Sequence, residues 1–313
     1  MKFDIDLVYC WVDGNDEKWR EERDRYIGTT DESTSMNSKA RYIDNEELKY
    51  SLRSIEKYAP WIRYIFIVTY NQTPSWLNTS HPKIKMISHS DIIPKEYLPC
   101  FNVLCIEHFI HKIPELSEHY IYANDDMFIN QPVTPETFFT SEGKPTIWLR
   151  RFPFRRLQRW CRVNIRKKPN HQYDVSIDNA SELVQREYGK YYTGFPHHNM
   201  DAYLKSFNNK ISDEVFKEDL EKTYLNRKRS FSDIFRVIYS YSALAVKKAV
   251  LKYVNQQVSL YMRLDKRDKY KKHIKRNPVL FCLNDTQHTK EGDRETLKDF
   301  LNGYFPDKSQ FEL

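Results

Sequence analysis

The feature that most narrows the fold of this chain is an alternation. Short apolar runs of strand length, rich in β-branched and aromatic residues, take turns with stretches of helical period. The strand-like runs cover residues 5–12, 64–69, 84–88, 120–123 and 279–283, and they read as strands buried in a core. Between them, the stretch DNEELKYSLRSIEKYAP predicts a helix. Asp44 is its expected N-cap, Glu47 follows three residues on, Leu48, Leu52 and Ile55 share a face, and Pro60 stops it. A second helix is expected over 102–113, ended by Pro114. Strands alternating with helices predict an α/β fold whose mostly parallel sheet is covered on both sides. Past residue 150 the pattern shifts, with helices expected over 181–188, 200–207, 213–225 and 232–255 and few strand signals. The expected organisation is an α/β core over residues 1–149, a mainly helical basic subdomain over 150–275, and a return to the core over 276–313 with a C-terminal tail.

The expected strands end in acids and amides. The first runs into Asp13-Gly14-Asn15-Asp16, the second into Asn71-Gln72, the fourth into Asn124-Asp125-Asp126 and the last into Asn284-Asp285. Open parallel sheets bind ligands at the carboxyl ends of their strands. Turns favour the same residue types for local reasons, so one such cluster says little; four together point to a polar site. Adjacent carboxylates such as Asp125 and Asp126 repel unless a cation holds them, and their hard oxygens suit Mg²⁺ or Mn²⁺ bridging a diphosphate. Asn284 and Asp285 are placed to complete such a shell. Arg41 and Arg229 are candidates for bidentate phosphate contacts. His197 and His198, in GFPHHNMD, sit in a polar stretch where either could accept a hydroxyl proton near neutral pH. His108 and His111 lie three apart on an expected helix and read as structural.

Composition removes several alternatives. Only 7 of 313 residues are glycine and no GxGxxG or GxxxxGK[ST] occurs, which argues against dinucleotide dehydrogenases and P-loop kinases. The five cysteines are scattered without a CxxC, as expected of reduced thiols and not of a zinc site. The first apolar run carries carboxylates, unlike a signal peptide, and no segment approaches the ~20 apolar residues of a membrane-spanning helix. A cytoplasmic protein is expected, with peripheral contact at the inner face of the membrane as an option. The net charge of +7 is concentrated: residues 150–168 hold nine Arg or Lys and no acid, and residues 263–276 hold eight against two Asp. These blocks are solvated faces or contacts for an anionic partner, such as lipid headgroups or a charged glycan. No nucleic-acid module accompanies them, so nucleic acid is not expected.

The run IDLVYCWVDGND resembles the first signature of the Stealth proteins, the bacterial capsular polysaccharide phosphotransferases and relatives of the animal lysosomal-enzyme N-acetylglucosamine-1-phosphotransferase. ARYIDNEELKYSLRSIEKYAPWIRYIFIVTYNQTPSWLN, with HPKIKMISHSDIIPKEYLPCFNVLCIEHFIHKIPELSEHYIYANDDMF, resembles the second; GFPHHNMDAYLKS with RKRSFSDIFRVIYSY resembles a diverged third; and NPVLFCLNDTQ resembles the fourth. The resemblance implies a Rossmann-like, GT-A-like core that moves a hexose 1-phosphate from a UDP-sugar to a hydroxyl of a glycan or lipid-linked glycan, releasing UMP. Carried over position by position, it implies metal ligands Asp125, Asp126, Asn284 and Asp285, and catalytic His197, Asp126 and Arg229. It further implies substrate contacts from Asp13, Asp16, Arg41, Asn45, Arg53, His89, Glu107 and Asn124, and matches Asp44, Glu47, Asp91 and Asp233. Two departures stand out: Asn199 occupies the position two after His197 where the family usually has proline, leaving the choice of histidine open, and Cys100 and Val103 replace small or hydroxyl residues. A conventional glycosyltransferase releasing UDP needs the same metal and nucleotide-sugar site. A non-catalytic binding protein would instead depend on the basic blocks.

Overall fold

The computed structural model describes residues 3–28, 42–168 and 170–313. Its strands are β1 (Ile5–Cys10), β2 (Ile65–Thr69), β3 (Ile84–Ser88), β4 (His119–Asn124), β5 (Met127–Ile129), β6 (Thr146–Arg150), β7 (Phe195–Pro196), β8 (Asp201–Leu204), β9 (Val250–Tyr253), β10 (Ser259–Arg263) and β11 (Leu280–Asn284). The central sheet has the order β3-β2-β1-β4-β8; its first four strands are parallel and β8 runs antiparallel to β4. The chain leaves β1 toward β2 and β3, then returns to β4 on the other side. The ends of β1 and β4 therefore flank a topological switch point, where an open sheet leaves a crevice. Register sets Cys10 opposite Asn124 at that point.

Alternate residues of the sheet feed two apolar layers. Leu7, Tyr9, Ile65, Ile67, Ile121 and Ala123 pack with Leu48, Leu52 and Ile55 of the Glu47–Tyr58 helix. Val8, Phe66, Val68, Tyr120 and Tyr122 pack on the other side with Ile177 and Val184 of the Gln172–Tyr188 helix and with Val237 and Ile238. This is the period-two division of a strand buried on both faces. Each fully buried aliphatic side chain contributes about 1.5–3 kcal/mol by leaving water.

Three expectations change. The Glu47–Tyr58 helix begins three residues after Asp44: Glu46 takes the cap position with φ 66°, Asp44 accepts from the Glu46 N–H, and Glu47 folds back onto Asn45. β11 does not return to the central sheet but joins a separate one of order β10-β11-β5. Nor is segment 150–275 a helical body apart. The boundary at 149/150 falls inside β6, the expected helix over 200–207 is β8 followed by the Lys205–Lys210 helix, and that over 232–255 is the Val237–Ala245 helix followed by β9. β8 supplies an edge of the central sheet and the helices share its core, because Ala202 and Tyr203 are as apolar and buried as the β4 residues they face.

Candidate functional site

The site forms where β4 ends. Asn124 stands at the crevice, and the Asp125-Asp126 turn reverses the chain into β5, which pairs antiparallel with β11 so that Met127 faces Cys282. This brings the end of β11 to Asp126. The Asn284 amide and the Cys282 thiol each donate to Asp126 Oδ2 at 3.2 Å. Asp126 Oδ1 is buried without a partner among the described residues. Burial raises the Asp126 carboxyl above its usual range, the two hydrogen bonds oppose this, and the charge of Asp285 adds to the rise.

Asp125 belongs to the same string of acids. Burial, then the charges of Glu47, Asp126 and Asp44, push its carboxyl well up. Burial also drives Glu47 up to about 8, with Asp44 adding to the rise, and raises Asp44 itself. Asn45 holds the Glu47 carboxylate through its backbone N–H at 2.8 Å and its amide at 2.7 Å. Asn45 is thus occupied in fixing an acid, which its assignment to substrate did not foresee. Among the described residues, no lysine or arginine pairs with Asp44, Glu47, Asp125 or Asp126. Asp126, with its orphaned oxygen, is the member of this string that lies with other ligand atoms close enough to hold a cation.

Beside this rim lies a second acid cluster that the sequence did not disclose. Arg236 is buried, donating to Glu107 Oε1 at 2.7 Å and to Asp201 Oδ2 at 2.9 Å, with its guanidinium over the Tyr122 ring. Burial raises Glu107 although Arg236 opposes it. At Asp201 burial also pushes upward, but His197 and Arg236 together outweigh it and hold the carboxyl below its usual range. The Glu107 side chain therefore acts as an internal counterion. Asp201 had a faint signal, four residues after His197, and Arg236 is a lone cation in the apolar run DIFRVIYSY, which demands an acidic partner once buried.

The two histidines divide between the clusters. His197 is buried, its Nδ1 3.1 Å from Ser259 Oγ and its Nε2 3.4 Å from Asp201. His198 has φ 55° and different neighbours. Ligand atoms of His198, Asp126 and Cys282 lie within 4.8 Å of one another. Tyr261, another residue the sequence did not single out, meets the His198 ring edge-on at 5.0 Å and donates to Asn284 at 2.8 Å. Burial, then Arg236, depress His198 to about 3, so its ring is neutral. Of the two histidines, it is His198 whose ring lies against Asp126. Arg229 makes no hydrogen bond or ion pair among the described residues, yet its charge reaches both His198 and Glu107.

Other expected residues have different employment. Asp16 caps the Glu17–Ile27 helix through Lys18 and Trp19, and Gln72 clamps that turn by bonding the Asp13 backbone and the Asp16 carboxylate. Asp13 accepts from the Asn15 N–H, and a side chain on Gly14 would collide with the Tyr42 carbonyl. Arg53 is spent on Glu312, at 2.8 and 2.7 Å, and on the Phe305 carbonyl, so it fastens the C-terminal segment instead of facing the crevice. Asp285 is held by Arg294 at 2.9 Å, which removes it from the free ligand set. Asn124 accepts from Tyr122 at 2.7 Å. His89 lines a cavity of about 250 Å³ with Glu22, Tyr70, Asn71, Ser88 and Pro99, and burial depresses it to about 4. Arg41 lies outside the described residues.

Comparison with known proteins places this arrangement. Stealth protein conserved region 1 matches residues 3–31, conserved region 2 residues 41–147 and conserved region 4 residues 272–313. Exopolysaccharide phosphotransferase SCO6023 of Streptomyces coelicolor is 34% identical over 322 residues, spanning 100% of this chain and 53% of its own. Capsular polysaccharide phosphotransferase fcs1 of Haemophilus influenzae is 33% identical, spanning 96% of this chain and 84% of its own. The crystal structure of the galactosyltransferase LgtC with donor and acceptor sugar analogues is similar at TM-score 0.47 and 10% identity, covering 97% of this chain and 98% of its own. With three conserved regions matched and relatives above 30% identity along nearly its whole length, the chain belongs to the Stealth family.

Proposed function

We propose that the protein transfers a hexose 1-phosphate from a UDP-sugar to a hydroxyl of a glycan, free or lipid-linked, in capsular or exopolysaccharide synthesis, releasing UMP. The observation that carries this reading is the orphaned Asp126 Oδ1 in a string of buried acids, facing His198 at the β1/β4 switch point. The names of the phosphotransferase relatives support the reaction class.

Asp125 and Asp126 would hold the divalent cation, with the Asn284 amide orienting the Asp126 carboxylate. When bound it would offset the diphosphate charge and ease the departure of UMP. Arg229, free of protein partners among the described residues, is available to the transferred phosphoryl oxygens. The His198 ring would take the acceptor proton as the hydroxyl oxygen bonds to the sugar-bearing phosphorus and the bond from that phosphorus to the UMP oxygen breaks, the negative diphosphate offsetting the burial and the Arg236 charge that otherwise oppose its protonation. His197, held by Ser259 and Asp201, positions its neighbour. The cavity at His89 and Tyr70 would take the nucleoside end, with a neutral imidazole and an aromatic ring on its walls.

The test is an assay of purified protein with Mg²⁺ or Mn²⁺, a panel of UDP-hexoses and an oligosaccharide primer, following nucleotide release and ³¹P spectra. UMP release with a phosphodiester in the product is expected. UDP release with no phosphorus in the new linkage would establish the conventional glycosyltransferase reading instead.

A further inference from the structure

The basic block at 150–168 takes no part in the transfer site, and three of the four arginines on its helix point the opposite way from those of an ordinary surface helix. In the Arg155–Asn164 helix, Arg155, Arg159 and Arg162 recur at i, i+4 and i+7 and face the body of the protein. Arg155 is buried, 3.1 Å from Asp178 Oδ1, and donates to Ser181 at 2.6 Å. Arg159 reaches Asp178 Oδ2 at 2.6 Å, and Arg162 meets His171 at 3.1 Å. The apolar residues are left outside. Phe154 is 66% exposed, Leu157 58%, Trp160 56% and Ile165 63%. A surface helix normally buries such a stripe. Exposed Arg151, Arg156, Arg166, Lys167 and Lys168 rim the patch, and the block contains no acid.

The second basic block shows what the ordinary arrangement is. In the Arg267–Ile274 helix, Tyr270 and Ile274 are buried in a cluster with Leu297 and Leu301, and Arg263 is paired with Asp265. That block is a solvated face, and the membrane contact expected for 263–276 gains no support from it.

We propose that the Phe152–Ile165 stretch is a docking element that lies flat on an anionic lipid bilayer, with Phe154, Leu157, Trp160 and Ile165 inserted at the headgroup level and the rim cations on lipid phosphates. Charge complementarity selects this occupant. An outward aromatic and aliphatic stripe bordered only by cations matches an interface that is apolar below and negative above, while a protein partner's apolar patch would leave that cationic rim unmatched. Among the described residues no helix is long and apolar enough to cross a membrane, so attachment here is peripheral. The element is tied to the site through backbone pairing: Arg150, at the end of β6, faces Phe195, two residues before His197. Docking would thus set the histidine stretch near the bilayer plane. The inference stands apart from the transfer reading, because binding is measured without turnover.

The test is flotation of the full chain with phosphatidylcholine vesicles containing about 30% phosphatidylglycerol, against pure phosphatidylcholine vesicles. The wild type should float with the anionic vesicles. Leu157→Glu with Trp160→Glu should lower the bound fraction at least about tenfold while leaving the thermal melt unchanged. Should that variant misfold, Trp160→Phe serves: it should still bind but lose fluorescence quenching by brominated lipid. Vesicle binding undiminished in the double variant, or absent in the wild type, overturns the proposal. So does a concentration-dependent dimer that the double variant abolishes without any vesicle binding, which would make a second copy the occupant.

Discussion

Two clusters of buried acids lie side by side at the end of β4, and they solve the same electrostatic problem differently. Glu107 and Asp201 enclose Arg236. Asp44, Glu47, Asp125 and Asp126 enclose no cation among the described residues. Tyr122 stands between them, its single hydroxyl proton shared between Glu107 Oε1 at 2.9 Å and Asn124 Oδ1, next to Asp125, at 2.7 Å. A buried acid with an internal counterion is complete and serves as scaffold; a buried acid without one keeps an unmet demand, which a ligand can supply. The first cluster reads as architecture and the second as the place where chemistry happens.

That contrast makes opposite predictions for two substitutions. Asp126→Asn should lower turnover by roughly a thousandfold, since electrostatic stabilisation is commonly the largest catalytic term. It should leave the metal-free protein as stable as before or more so, because an amide removes one repelling charge. Arg236→Met should cost about 3–5 kcal/mol of stability by stranding Glu107 and Asp201. Chemical denaturation of both variants alongside the wild type measures this. Equal destabilisation by the two would erase the distinction. The histidines should separate in the same way. His198→Asn should reduce kcat by about a hundredfold, and His197→Asn should act mainly on stability through its contacts with Ser259 and Asp201. A larger catalytic loss at His197 would return the proton acceptor to that residue.

Much of this was legible in the sequence, for identifiable reasons. β1, β2 and β4 were placed within two residues because strands buried on both faces are written as apolar runs, and the half-buried edge strand over 84–88 was placed to the residue. Asp125, Asp126 and Asn284 stood out because acids and amides close those runs. What stayed hidden depends on direction and long-range pairing. Nothing in two adjacent histidines shows that one adopts a positive φ and packs against Asp126. Nor does Asp285 betray that Arg294, nine residues on, already holds it. β8 passed for a helix because DAYL is only four residues long and runs straight into the Lys205–Lys210 helix. Composition showed that one basic block lacks acids and the other does not, but only the placement of Asp178 against Arg155 turns the first inside out.

Cation binding sharpens the comparison further. At about 100 times its Kd, Mn²⁺ or Mg²⁺ should stabilise the wild type by about 2.7 kcal/mol. The gain should vanish in Asp126→Asn and persist in Asp285→Asn, whose side chain is engaged by Arg294. Thermal melts over a metal titration read this directly. Equal stabilisation of Asp126→Asn and wild type would place the cation elsewhere.

The smallest effect concerns Arg53, an arginine whose partner is an acid, as in the Arg236 cluster, but at the edge of the fold. Its bidentate contact with Glu312 joins the Glu47–Tyr58 helix to the C-terminal segment. Burial pushes the Glu312 carboxyl upward, but Arg53 and the Ser309 N–H outweigh it and hold the group below the usual glutamate range. The native state therefore binds fewer protons than the unfolded chain between that depressed value and about 4.3. Stability from this pair is present above that window and is lost as pH falls through it. Glu312→Gln should cost about 1–3 kcal/mol at pH 7, and the difference from wild type should shrink on acidification below about pH 4.3. Turnover and KM at pH 7 should not change, because the Arg53 guanidinium is directed at Glu312 and the Phe305 carbonyl and not at the crevice. A raised KM with unaltered stability would put Arg53 back at the crevice and make the two kinds of acid cluster a poor guide to role.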